Sequence, residues 1–351
     1  MLFGDWIKLL STHRFRVHPL RLGLACTVTG ATLFNSTMRL ASQAIYAKRA
    51  LETPIPQDPV FILGHWRSGT TYLHELMSCD SRFATPTTYQ CFAANHFLMT
   101  ERWVPRLLWF LMPSRRPMDN VSVGWNAPQE DEFALCSMGI PSPYLRMAFP
   151  NAEDRYLDYL DLKKIPANER IEWQQALQAF LQGLTFDSGK RLILKSPTHT
   201  ARLGLLSQMF PRAKFLHIVR DPLAIYPSTL KLWKVLDHVQ GFQIPKHRQL
   251  EPYVIEAFQR MYQAFEQQRA ELSDDRIFDI RYEELVKNPS QILSQAYDHL
   301  ELGDFSAVEK RLEEFIGEKR EYRTNQYQLS AETRNEVLDK WGAYAKKYGY
   351  A

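Results

Sequence analysis

The chain has 351 residues, 45% hydrophobic and 13% aromatic, enough to bury a full core, and α/β folds of this size are often one domain. Its 43 basic and 39 acidic side chains leave a net charge of +4, which excludes the strong basic excess of a nucleic-acid binder. The four cysteines, Cys26, Cys79, Cys91 and Cys136, form no C-x-x-C pair and no zinc spacing with histidine, so a reducing, cytoplasmic compartment and no metal centre are expected.

Residues 1–57 read as an N-terminal helical segment. Within it Leu22 to Phe34 is apolar, with Lys8, Arg14, Arg16 and Arg21 before it. Interrupted by Thr27, Thr29 and Thr32, this stretch falls short of the roughly 18–20 apolar residues that a membrane span needs. Residues 1–50 therefore pack on the body of the protein or lie on a membrane surface. The proline-rich stretch Thr53 to Pro59 then delivers the chain into a strand at Val60-Phe61-Ile62-Leu63. A short loop between Gly64 and Gly69 follows, and an amphipathic helix begins at once.

Residues 102–113 are strongly apolar with flanking arginines. They read as a buried helix, a lid over an apolar acceptor or a membrane-facing element. Further strands are expected at Arg191–Lys195, Lys214–Val219 and 276–280, and helices at 200–209, 252–272, Pro289–Leu300 and Ala331–Lys347. Short, nearly continuous apolar strands separated by helical patterns are the signature of a parallel sheet covered on both faces. The expected fold class is α/β, a P-loop-like three-layer fold with a central, mainly parallel sheet. Residues 58–351 would form one domain with a helical insertion at about 90–185, on the acceptor side.

Two segments carry chemistry. In Gly64-His65-Trp66-Arg67-Ser68-Gly69-Thr70-Thr71, the glycines let the backbone approach a ligand. Loop amides and a helix N-terminus make a site for phosphate or sulfate. Thr70 stands where the lysine of a nucleotide-triphosphate P-loop would be, and Arg67 supplies a fixed charge instead. The second segment runs from Val219-Arg220-Asp221-Pro222 to Ser228. It sets an arginine at a strand's carboxyl end and a hydroxyl eight residues on, a sensible pair for a phosphate monoester.

Together these segments resemble the sulfotransferases that use 3′-phosphoadenosine 5′-phosphosulfate (PAPS), in the bacterial-type branch related to the protein-tyrosine sulfotransferases. The first is similar to their 5′-phosphosulfate loop, the second to their 3′-phosphate site. Lys195-Ser196-Pro197 and Arg281-Tyr282-Glu283-Glu284-Leu285 stand where such enzymes carry donor-binding segments. The resemblance covers residues 58–300 in outline. It implies donor contacts from Arg67, Ser68, Gly69, Thr70, Thr71, Arg220, Ser228 and Tyr282. It also implies PAPS as co-substrate, adenosine 3′,5′-bisphosphate as product, and transfer to a hydroxyl of a phenol, sugar or lipid alcohol. Sulfuryl transfer moves a group of spread negative charge in line between two oxygens, so positioning and fixed positive charge dominate. Sulfate carries less charge than phosphate, so no Mg²⁺ is needed. Arg67 and Lys195 would stabilise the transferring group.

A general base should activate the acceptor. The tyrosylprotein relatives carry a Glu about 20 residues after the loop arginine, where this chain has Thr87-Thr88-Tyr89. The substitute is the acidic cluster Glu130-Asp131-Glu132, with Glu130 favoured; the same acids at a helix start also complement its dipole. His65, His96 and His199 stand in reserve. The basic run 319–325 could close over the donor's phosphate or be a solvated surface. The rival readings are a P-loop nucleotide kinase and a non-catalytic PAPS- or membrane-binding protein.

Overall fold

The computed structural model describes residues 1–111, 124–153, 156–318 and 328–350. The chain forms two compact units. One comprises Met1–Ile55, Pro86–Gly189 and Lys231–Leu250, the other Pro56–Thr85, Lys190–Leu230 and Glu251–Ala351.

The second unit carries the sheet. Its strands are β1 (Val60–Leu63), β2 (Phe83–Ala84), β3 (Arg191–Lys195), β4 (Lys214–Val219) and β5 (Ile277–Arg281), in the order β2-β3-β1-β4-β5. Every pairing is parallel. β2 is too short to carry an apolar run, and nothing in the sequence announces it. β5 starts one residue later than expected because Asp274–Arg276 closes as a 3₁₀ turn. The start of the helix expected at 200–209 is likewise 3₁₀ from Pro197 to Arg202, and the α-helix runs Leu203–Met209.

β1 is central, with Phe61 opposite Leu194 of β3 and Phe215 of β4. All four of its residues are fully buried, as a strand covered on both faces requires. One face packs on Leu73, Leu76 and Met77 of helix Thr70–Met77 and on Leu293, Tyr297 and Leu300 of helix Pro289–Leu300. On the other, Phe61 stacks on Phe215 at 5.7 Å and meets Phe210 at 5.9 Å. Each such large side chain contributes roughly 1.5–3 kcal/mol by leaving water. Parallel pairing puts all the carboxyl ends on one edge. The chain passes from β3 on one side of β1 to β4 on the other, so the crevice used by ligands in open α/β sheets opens above β1 and β4.

The first unit is helical. Helix Phe3–Thr12 buries Trp6, Leu9 and Leu10 against Phe149 and Phe242, so this part of the N-terminal segment packs into a core. Helix Leu22–Ser42 runs beside it. Helix Ala167–Ser188 buries Trp173, Leu177, Phe180, Leu181 and Leu184 along one stripe. Arg146 and Asp237 form a buried two-bond ion pair, at 2.7 and 2.9 Å, under the Trp233 ring.

The described part of 102–113 is not a buried helix. Pro105 and the flanking turns limit it to one turn, Val104–Leu107, followed by a 3₁₀ turn. Only Val104 is buried, while Trp103, Leu107, Trp109 and Phe110 are exposed. Residues 112–113 and the basic run 319–325 lie outside the described residues. Among those described, no helix is long and apolar enough to cross a membrane.

Candidate active site

The loop after β1 is shaped by contacts that leave no room for a side chain at either glycine. Gly64 has φ +146°, and a Cβ there would lie 2.6 Å from both the Ile218 carbonyl and Ser68 Oγ. Gly69, with φ +108°, is the N-cap of helix Thr70–Met77, and a Cβ would stand 2.4 Å from the Tyr282 ring. Between them Ser68 folds back on His65, whose carbonyl accepts from the Ser68 amide (3.1 Å) and hydroxyl (2.8 Å). The Gly64 amide donates to Thr200 Oγ1 at 2.7 Å. The result is a tight turn feeding a helix whose first amides have no partner within the helix itself.

Arg67 adopts φ +70°, rare for a residue with a side chain. Its Nε donates to Ser228 Oγ at 2.9 Å, and its carbonyl accepts from Arg220 Nη1 at 3.0 Å. The Arg220 guanidinium lies over the Tyr282 ring, 4.3 Å from its centroid, and that ring closes against Gly69. Tertiary structure thus joins the two motifs into one constellation of Arg67, Ser68, Gly69, Thr70, Thr71, Arg220, Ser228 and Tyr282. Lys195 ends β3, paired with Ile62 of β1 and almost wholly buried on the same edge. Asp221 accepts from the Leu223 amide at 2.8 Å and caps the next helix.

The sequence reading missed Tyr344, from the last helix, Ala331–Lys347. Its hydroxyl accepts from the Arg220 amide and donates to the Arg220 carbonyl, both at 3.0 Å. The buried stripe Val337, Trp341, Tyr344 and Ala345 was legible as helix periodicity, but nothing in the pattern says where the hydroxyl goes.

His65 is enclosed, with its ring 4.9 Å from Phe258 and 5.1 Å from Trp66 and its Nδ1–H donating to the Trp66 carbonyl at 2.8 Å. Burial holds its pKa down to about 3, against 6.5 when unfolded, with the backbone bond pulling the other way. The unfolded chain therefore takes up this proton first as pH falls. Stability present above pH 6.5 is lost progressively on descent to about pH 3, a cost near pH 5 of about 2 kcal/mol. Urea unfolding at pH 7 and 5 measures this, with a smaller pH difference expected in His65→Asn.

Gly69→Ala is expected to cost about 1–3 kcal/mol, since a methyl group must displace the Tyr282 ring. Gly30→Ala, where nothing lies within 4 Å, is the control that should not destabilise.

Glu130 belongs to the helical unit. It is the N-cap of helix Asp131–Ser137, half-buried, and its carboxylate accepts from the Tyr144 hydroxyl. Tyr144 is stacked on Phe133 at 4.9 Å. Asp131 and Glu132 are fully buried, and Glu132 accepts from Ser142 Oγ. In the same unit His96 pairs with Thr100 and Asn35, and burial lowers its pKa to about 4. His199 lies edge-on to Phe61, fully buried, in the sheet unit.

A family model described as the sulfotransferase family matches residues 59–306, a span that holds both motifs. The chain belongs to the sulfotransferase family. It is an enzyme, a transferase, and the kinase reading falls. This sulfotransferase is 41% identical over 348 residues to the omega-hydroxy-beta-dihydromenaquinone-9 sulfotransferase Stf3 of Mycobacterium bovis and of Mycobacterium tuberculosis, covering 99% of this chain and 89% of theirs. Its fold is similar to that of sulfotransferase STF9 from Mycobacterium avium, with a TM-score of 0.73 at 19% identity over 94% of this chain and 86% of that one. Sulfotransferase STF1 from Mycobacterium tuberculosis H37Rv follows at 0.68 and 17%, covering 97% and 90%. At these identities the likeness to the solved structures is one of fold.

Proposed function

We propose that this sulfotransferase takes its sulfuryl group from PAPS and delivers it to the hydroxyl of an apolar quinone lipid. The observation that carries the donor assignment is the bond from Arg67 to Ser228, with Arg220 on the Arg67 carbonyl. It ties a loop fit for a phosphosulfate to a strand end fit for a phosphate monoester. The residue chemistry fits such a donor: two fixed guanidinium groups, a helix N-terminus, and a cradle at Gly64 and Gly69 that a Cβ would fill.

In this reading Arg67, Ser68, Gly69, Thr70 and Thr71 hold the 5′ end, Arg220 and Ser228 the 3′-phosphate, and Tyr282 flanks the nucleotide while supporting Arg220. The acceptor oxygen bonds to sulfur as the bond from sulfur to the bisphosphate oxygen breaks. Arg67 and Lys195 offset the charge spread over the moving group and the bridging oxygen. Glu130 receives the acceptor's proton, and Tyr144 holds that carboxylate in one rotamer.

The acceptor class rests on the relatives at 41% identity, whose name gives an omega-hydroxy-beta-dihydromenaquinone-9. The four free cysteines support a reducing, cytoplasmic setting, and an acceptor this apolar implies work against a lipid surface. The test uses sulfur-labelled PAPS with the purified chain and three acceptors: a detergent-solubilised ω-hydroxylated dihydromenaquinone, a simple phenol and a sugar. Label is expected on the quinone lipid. Label on the phenol or sugar alone overturns the acceptor, and no label on any of them overturns the catalytic reading.

A further inference from the structure

A water-facing helix turns its polar residues outward. Helix Leu22–Ser42 departs from this in its C-terminal half, where Leu33, Phe34 and Leu40 are exposed while Thr32 and Ser42 are buried. Its inward side is fastened partly by polar groups. Trp6 Nε1 donates to Thr29 Oγ1 at 2.9 Å, the Phe3 amide to Ser36 Oγ at 2.9 Å, and His96 Nε2 to Asn35 Oδ1 at 3.0 Å. Its outward side presents Leu22, Leu33, Phe34 and Leu40, continued by Ile45 in the π-helical turn that follows. None of the residues exposed between Leu22 and Ile45 is charged. A solvated surface of that length carries charge at roughly a quarter to a third of its positions.

The apolar face continues beyond this helix. The Phe34 ring meets the Trp103 ring edge-on at 6.3 Å, and past it Leu107, Trp109 and Phe110 are exposed. Of all the exposed large apolar side chains among the described residues, only Val286 lies outside this unit. Basic residues flank the face along the chain: Arg14 and Arg16 precede the helix, Lys48 and Arg49 follow it, and Arg102 and Arg106 flank Trp103, all exposed. Residues 1–50 hold seven basic side chains and one acidic, a net +6 in a chain whose total is +4.

We infer that the face made by helix Leu22–Ser42 and residues 103–110 docks flat on an anionic lipid bilayer. The helix, about 32 Å long, would lie in the interface with its leucines and Phe34 among the acyl chains. Trp103 and Trp109 would sit at headgroup depth, and the flanking arginines and lysines would meet lipid phosphates. A second copy is the poorer occupant, because two-fold pairing brings two segments of like net charge together. The inference takes its purpose from the lipid-acceptor reading above, since a bilayer is where such an acceptor would be met, but its test needs neither donor nor acceptor.

The experiment is flotation of the full chain with vesicles of phosphatidylcholine and phosphatidylglycerol at about 3:1, beside vesicles of phosphatidylcholine alone. The chain should float with the anionic vesicles and release as salt rises from about 50 to 500 mM. Leu33→Glu with Leu40→Glu should weaken vesicle affinity roughly tenfold or more while leaving the affinity for adenosine 3′,5′-bisphosphate unchanged. If that pair fails to fold, Leu33→Ser with Leu40→Ser decides. Absence of flotation overturns the inference, as does equal flotation of a folded variant, or a wild-type dimer that the variant breaks. Flotation without sulfation of the quinone lipid would sink the acceptor assignment alone. Sulfation of the solubilised lipid without flotation would sink the docking face alone.

Discussion

Arg67→Ala is expected to reduce kcat roughly 10²–10³-fold, the usual effect of removing one fixed charge or donor aimed at a transition state. The magnitude follows from Arg67's place. Its guanidinium is anchored through Nε to Ser228 Oγ, and its carbonyl is gripped by Arg220, so the fork needs little reorganisation to meet developing charge. Arg67→Lys keeps the charge but loses the planar fork and the bond to Ser228, so it should recover only part of the rate. Ser228→Ala should act differently. It deletes one hydroxyl from the donor site, weakening donor affinity roughly tenfold with a smaller change in kcat. Single-turnover sulfation with donor in excess separates the two. A full rate in Arg67→Ala would remove the loop arginine from the chemistry, and unchanged donor affinity in both variants would sink the whole donor site.

Asp237→Ala is expected to lower stability by about 3–5 kcal/mol, because it leaves the Arg146 guanidinium buried without its carboxylate. Asp237 is fully buried and Arg146 nearly so. Burial pushes the Asp237 carboxyl upward, against the pull of Arg146 and of His247 nearby. Breaking one side of such a pair strands a charge, whereas replacing both sides need not. The double variant Arg146→Met with Asp237→Leu should therefore recover most of the loss. Urea unfolding midpoints of the two variants test this. If Asp237→Ala is neutral, the pair is open to water and the buried reading is wrong.

Much of the sheet was legible because its determinants are local. Continuous apolar runs at Val60–Leu63, Arg191–Lys195 and Lys214–Val219 can be satisfied only by strands buried on both faces. Helices Pro289–Leu300 and Ala331–Lys347 carry their own periodicity and begin at Pro289 and just after Ser330, which caps the second through the Thr333 amide. β2 was not legible, since two residues hold no pattern. Of the readings of residues 102–113, the buried helix fails over the described side chains 102–110, because an apolar run specifies burial only when the fold supplies a covering surface, and among these only Val104 finds one.

The donor loop shows the same division. Two glycines, an arginine and two threonines in Gly64 to Thr71 sufficed to mark a tight turn into a helix without a P-loop lysine, because tight turns and helix N-termini are written in backbone sterics. Sequence alone therefore determined the strand, loop and helix, and the family. Tertiary structure alone decided that Ser228 and Arg220 close on Arg67, that Tyr344 clamps the Arg220 backbone, and that Tyr144 grips Glu130. It also decided that helix Leu22–Ser42 turns an uncharged face outward. These are contacts between residues far apart in the chain. Their existence depends on where the packed core leaves each side chain, which no local pattern records.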